Sequence, residues 1–122
     1  MSFSLILLTY NQEKFVSQAV NAALSQNCDP IEILISDDCS NDKTFDIAQD
    51  SVKNYRGPHK VLLNRNHKNL GLSRHIDKVH ELSSGKVIIV AAGDDISHPN
   101  RCQKIIDCFE NKNPALVFSY AD

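Results

Sequence analysis

Basic residues are not in excess: thirteen Lys and Arg stand against fifteen Asp and Glu, a formal charge of −2. A general nucleic-acid binder needs a positive surplus, so that class is set aside. Long apolar runs are missing as well. No stretch approaches the roughly 20 residues that span a bilayer. The opening "SFSLILLTY" has neither a basic lead-in nor a small-residue cleavage site, so it reads as a first strand rather than a signal peptide. Cys28, Cys39, Cys102 and Cys108 show no C-x-x-C spacing, and no paired His motif accompanies them, which argues against a zinc site. Without an export signal, reduced buried thiols are expected rather than disulfides. A cytoplasmic protein follows, and peripheral attachment to the inner face of a membrane is compatible with it. No G-x-x-x-x-G-K-[ST] occurs, which excludes a P-loop, and no G-x-G-x-x-G marks a dinucleotide site. Repeats, low-complexity tracts and linkers are absent too.

What is present is a regular alternation in 122 residues, the size of one compact domain or a piece of one. "FSLILLT" (3–9) is short and continuously apolar, as a strand buried on both faces must be. "NQEKFVSQAVNAALSQ" (11–26) then spaces Phe15, Val16, Ala19, Val20, Ala23 and Leu24 along one helical face. Further strands are expected at 31–36, 60–64, 86–92 and 115–121. Helices are expected after "DDCSND", capped by Asn41 or Asp42, within "NLGLSRHIDKVHELSSG", and from Pro99 to about Glu110. Alternation of this kind predicts an α/β fold, a Rossmann-like three-layer α/β/α sandwich with a mainly parallel sheet. Ligands of such sheets bind at the carboxyl ends of the strands.

Three polar clusters fall at those ends. "TYN" closes the first strand, where Thr9, Tyr10 and Asn11 either cap the following helix or offer amides to a base or phosphate. "DD" closes the second. Asp38 reads either as a turn residue or as an acceptor for the imide N–H of uracil or thymine. "GDD" closes the fourth, and Asp94 and Asp95 present hard oxygen donors suited to Mg²⁺ or Mn²⁺ shared with a diphosphate. The competing reading makes Asp95 a helix cap and leaves Asp94 solvated. The five histidines are scattered, and each reads as surface or helix filler rather than as a ligand.

Taken in order, "SLILLTYNQEKFVSQAVNAALSQ", "IEILISDDCSND" and "NLGLSRHIDKVHELSSGKVIIVAAGDDISHPNR" resemble the nucleotide-binding half of a family 2 glycosyltransferase with the GT-A fold. The resemblance implies sugar transfer from a nucleotide-diphosphate sugar (UDP- or dTDP-linked) to an acceptor hydroxyl on a sugar, lipid or protein, with inversion and a divalent cation. It implies that Thr9, Tyr10 and Asn11 line the nucleotide pocket, that Glu13 lies beside the base, and that Asp38 binds the imide. Asp94 corresponds to the last Asp of the family's D-x-D motif and Asp95 to its acidic neighbour, both at the metal. Ala92 stands where the first Asp of that motif usually is. Ile76 takes the place of the family's helix Arg, and Arg74 is an alternative cation for the diphosphate. Because family members run well beyond 122 residues, residues 1–122 are expected to form the donor-binding part. The general base and acceptor site would lie in a later half, and the surface that half covers is open to a homodimer. The different-class alternative is a non-catalytic interaction or nucleotide-binding module on the same scaffold.

Overall fold

The computed structural model describes residues 2–93 and 96–112, with side chains through Glu110. Four strands, β1 (Phe3–Thr9), β2 (Glu32–Asp37), β3 (Lys60–Arg65) and β4 (Val87–Ala92), alternate with four helices. The helices are α1 (Val16–Leu24), α2 (Thr44–Val52), α3 (Leu72–Leu82) and α4 (Arg101–Lys112). The expected strand over 115–121 lies outside the described residues.

The sheet runs β3-β2-β1-β4 with every pairing parallel. Each strand therefore needs a crossover, and the helices supply it. From β1 through β3 the chain steps in one direction, and α1 and α2 lie on one face with α4. Their Val16, Ala19, Val20, Ala23, Ala48, Cys102, Ile105 and Ile106 pack on Phe3, Leu5, Leu7, Ile33 and Ile35. After β3 the direction reverses, so a right-handed crossover must pass on the opposite face. There α3 packs Val79 against Ile6, Leu8 and Leu34. Odd positions of β1 thus face three helices and even positions face one, which is why a two-sided strand carries no polar alternation. This is the three-layer α/β/α sandwich with a parallel sheet.

Polar clasps hold the ends of the strands. Ser4 Oγ and the Ser84 amide and hydroxyl donate to the Glu32 carboxylate at 2.8–3.0 Å, tying β1, β2 and the lead-in to β4 together. His59 is buried, contrary to the expectation of a surface or filler role. Its Nδ1 accepts from the Ile31 amide at 3.2 Å, so Nε2 carries the proton and donates to the Gln26 carbonyl at 2.9 Å. All four cysteines are free thiols. Burial first, and then the neighbouring Cys28, push the Cys102 thiol up to about 12, while Arg101 pulls it the other way. A thiol so raised stays protonated and inert at neutral pH.

The first helix begins later than its apolar spacing predicts, at Val16 rather than near 11. Asn11 has φ 49°, in the left-handed region, and residues 11–15 form a turn. Asn tolerates that conformation better than most residues, and it breaks the helical run. The N-cap of α2 is Lys43, not Asn41 or Asp42 as expected; Asp42, one residue earlier, accepts from the Thr44 amide at 2.9 Å and hydroxyl at 2.5 Å.

Candidate functional site

β1 and β4 are adjacent, yet α1 follows β1 on one face while α3 leads into β4 on the other, which leaves a crevice at the carboxyl ends of the two strands. A cleft of about 670 Å³ occupies it. Leu8, Thr9, Tyr10 and Gln12 line it from β1 and the turn beyond, and Asp38 from the end of β2. Asn69, Gly71, Leu72, His75 and Ile76 form the wall at α3, while Val90, Ala91, Ala92 and Arg101 close the β4 side. This size suits a small molecule rather than a polymer.

The two acids at the end of β2 have different surroundings. Asp37 is fully buried. Its Oδ1 accepts from Thr9 Oγ1 at 2.8 Å and Ser40 Oγ at 2.6 Å, and its Oδ2 from the Ser40 amide at 2.8 Å. It clasps the loop and does not line the cleft. Asp38, 4% exposed, does line it. Its Oδ1 accepts from Asn66 Nδ2 at 2.9 Å and the Leu70 amide at 2.8 Å, and its Oδ2 from the Gly71 amide at 3.0 Å. A carboxylate offers about four acceptor sites, so one on Oδ2 remains for a ligand. Gly71 has φ 82°, which places its amide where Asp38 needs it, and a Cβ there would be strained.

Of the other expected nucleotide contacts, Thr9 and Tyr10 are at the cleft, and Tyr10 is 43% exposed. Asn11 and Glu13 do not line it and instead brace two loops. The Asn11 amide donates to Ser40 Oγ at 2.9 Å, and Asn11 Oδ1 accepts from the Asn41 amide at 2.8 Å. Glu13 Oε2 accepts from the Lys43 amide at 3.1 Å. Arg74 is exposed on α3 and is not among the cleft residues. Asp94 and Asp95 lie outside the described residues.

Gln12, Arg101 and His75 are among the cleft residues that the sequence did not single out. Gln12 Oε1 accepts from the Tyr10 amide at 3.1 Å and lies so near Gly93 that a Cβ there would overlap it. Nothing in the sequence marks it. Arg101 is buried at 7% exposure and donates to the Val90 carbonyl at 2.9 Å and Ser97 Oγ at 3.1 Å. His75 is 2% exposed and is not filler. It shares the buried stripe of α3 with Val79, four residues on, and that spacing was the readable signal.

Burial alone would raise the carboxyls of Asp38, Glu32 and Asp42. In each case donated hydrogen bonds win and the group is held below its ordinary range. The donors are Leu70, Asn66 and Gly71 at Asp38, Ser84 and Ser4 at Glu32, and Thr44 at Asp42. His75 is lowered chiefly by burial and also by Lys78, against Asp38 and Asp37, which raise it. An unfolded imidazole takes a proton below about pH 6.5, and unfolded carboxyls do so below about pH 4. The folded groups resist both protonations, so acid favours unfolding in two stages. A melting curve is expected to hold its midpoint between about pH 7 and 8, slip from about pH 6.5 downward as unfolded His75 protonates, and fall steeply below about pH 4. A midpoint rising on acidification from pH 7 to 5 would contradict this.

Known proteins place this geometry. The sequence profile described as Glycosyl transferase family 2 matches residues 4–121. The chain belongs to glycosyl transferase family 2. Among curated members, the putative glycosyltransferase EpsE of Bacillus subtilis is 31% identical over 107 residues, covering 88% of this chain and 38% of its own length. An uncharacterized glycosyltransferase of Nostoc sp. is 26% identical over all 122 residues, 37% of its own length. The chain thus spans under two fifths of the length of these family relatives. Solved structures share the fold. S. aureus TarS 1-349 in complex with UDP-GlcNAc aligns with TM-score 0.78 at 23% identity, over 93% of this chain and 32% of that one. The mannosyltransferase PcManGT from Pyrobaculum calidifontis, in complex with GDP-Man and Mn²⁺, aligns with TM-score 0.81 at 12% identity, over 89% and 32%. The α/β sandwich is therefore a GT-A-type fold.

Family membership raises the question of a divalent cation. Among the described residues no group of three or more His, Cys, Asp or Glu is placed to hold a metal. Asp38 already accepts three N–H groups and keeps a single acceptor site, which is too little to hold a cation by itself. Ala92, at the cleft, contributes only a methyl group where a metal-binding carboxylate is usual. Asp94 and Asp95, hard oxygen donors of the right chemistry for Mg²⁺ or Mn²⁺, lie outside the described residues. Among the described residues no helix is long and apolar enough to cross a membrane.

Proposed function

We propose that residues 1–122 form the donor-binding part of an inverting, metal-dependent glycosyltransferase that takes a UDP- or dTDP-linked sugar. The observation that carries the reading is Asp38. It is a buried carboxylate at the carboxyl end of β2 that lines the cleft, held ionised by its donors and with one acceptor site left for a ligand. An imide N–H satisfies that site, and a base lacking the N–H leaves a desolvated charge unpaired. In this reading Thr9 and Tyr10 flank the base, and Asp94 and Asp95 would supply carboxylates for a cation on the diphosphate. A divalent cation there would neutralise charge on the departing diphosphate. The chain's own part is to bind and orient the donor and shield it from water. In the whole protein an acceptor hydroxyl attacks the anomeric carbon, the C–O bond to the diphosphate breaks, and a carboxylate of the acceptor half takes the proton.

Calorimetry with UDP, dTDP and GDP, each with and without Mn²⁺, tests this. Binding of UDP or dTDP, strengthened by the metal, is expected. Asp94→Ala should remove the metal-dependent gain and leave metal-free binding within about twofold, since a group that only holds the cation adds nothing without it. Should none of the nucleotides bind with metal, the donor reading fails. The alternative, an interaction module, is favoured by the exposed Leu72, Ile76, Val90 and Ile96. Self-association without nucleotide binding would select it.

A further inference from the structure

His75 has a chemical role that the donor-site reading does not use. Its side chain is 98% withdrawn from solvent, at 2% exposure, yet it is one of the cleft residues. One ring nitrogen, Nε2, lies 2.7 Å from Ser36 Oγ. Ser36 Oγ also receives Asn64 Nδ2 at 2.9 Å. The same Asn64 Nδ2 reaches Asn66 Oδ1 at 3.1 Å, and Asn66 Nδ2 donates to Asp38 Oδ1 at 2.9 Å. A buried polar chain therefore runs from His75 through Ser36, Asn64 and Asn66 to Asp38.

That chain sets the tautomer. With Asn64 donating to Ser36 Oγ, the serine hydrogen is left to point at an acceptor, and the acceptor in reach is His75 Nε2. A neutral imidazole with an accepting Nε2 carries its proton on Nδ1. The ring is held neutral by burial, as its lowered pKa indicates. Among the described residues Nδ1 has no hydrogen-bond partner. No fully buried side-chain nitrogen or oxygen among the described residues lacks one, so Nδ1 opens on the cleft. Charged groups facing the ring are Asp37 and Asp38 from the end of β2 and Lys78 from α3 itself. Across the cleft stands Arg101, while β4 presents only Val90, Ala91 and Ala92.

We propose that His75 reads the base together with Asp38, its Nδ1–H donating to the ring carbonyl beside the N–H that Asp38 accepts. Acceptor and donor side by side match an imide edge, which uracil and thymine present and which guanine repeats at N1–H and O6. Cytosine presents the reverse, a bare ring nitrogen beside an amino group, so both protein contacts meet a like partner. Discrimination by a buried pair of this kind is steep, because each mismatch leaves a desolvated group unsatisfied. The proposal rests on the donor-site reading and makes His75 its specificity residue.

The test is calorimetry of the full chain at neutral pH with UDP, dTDP, GDP, CDP and ADP. The wild type is expected to bind at least one imide nucleotide about tenfold or more tighter than CDP. His75→Phe keeps an aromatic ring in place without the N–H. It should weaken imide binding by about tenfold and bring the imide-to-CDP ratio within about threefold. His75→Asn, whose Nδ2 can stand near the position of Nδ1, should restore part of the ratio. Long-range ¹H–¹⁵N NMR on the wild type should show the proton on Nδ1. A folded His75→Phe protein with an unchanged ratio, or an Nε2–H tautomer, overturns the proposal. If the wild type binds imide nucleotides and CDP equally, this inference alone fails. If it binds no nucleotide, the donor reading fails and takes this one with it.

Discussion

Asp38→Ala is expected to weaken UDP or dTDP binding about 100-fold, near 3 kcal/mol, with or without metal. Two losses combine. The base loses its charged acceptor, and the wall of the cleft loses the group that positions it. Asn66 Nδ2 and the Leu70 and Gly71 amides all converge on this carboxylate. Stranding such donors costs about 2–4 kcal/mol of stability, less where water enters to replace the oxygens. Asp38→Asn separates the effects. It keeps two acceptor contacts on its oxygen but turns an N–H₂ toward the Gly71 amide and the ligand. Stability should be largely retained while imide binding is still lost. Calorimetry paired with a thermal melt reads both, and an Asp38→Asn protein with wild-type UDP affinity would remove Asp38 from the site.

Asp37→Ala should produce the opposite profile. Its carboxylate is fully buried and joins Thr9 to both the amide and the hydroxyl of Ser40, whose oxygen also receives the Asn11 amide. Removing it leaves these groups without their acceptor and unties the two loops that carry Tyr10 and Asp38. A loss of about 3 kcal/mol follows, or a fall of about 10–15 °C in melting midpoint for a chain of this size. Nucleotide affinity of the fraction that stays folded should drop by only about tenfold, because Asp37 supports the cleft from behind. If Asp37→Ala melted like the wild type but bound no nucleotide, the roles of the adjacent acids would have to be exchanged.

The neighbouring acids show how far the chain could be read without its structure. "IEILISDD" announces a buried strand ending in two carboxylates, and strand ends in a parallel sheet are where ligands gather. Which of the pair faces the ligand depends on the pleat and on the loop that follows, and the second is tertiary. Asn11 and Glu13 make the same point. Local spacing puts them beside Thr9 and Tyr10, but Asn11 adopts φ 49° and both turn to the α2 loop, whose position only the folded sheet supplies. His75 was hidden for a related reason. Histidine titrates and binds in many settings, and its meaning here comes from Ser36 and Asn64 on two different strands.

By itself the sequence determined the strand–helix alternation, the α/β class and the sites at which chemistry could collect. Those follow from periodicity and turn chemistry, which act over a few residues. Strand order, the reversal that sends α3 to the far face, and the cleft that reversal opens were decided by the tertiary structure. It also decided which polar groups are spent on one another and which are left for a ligand. Desolvation enforces that division, because a buried donor or acceptor has to find a partner from wherever the fold brings one.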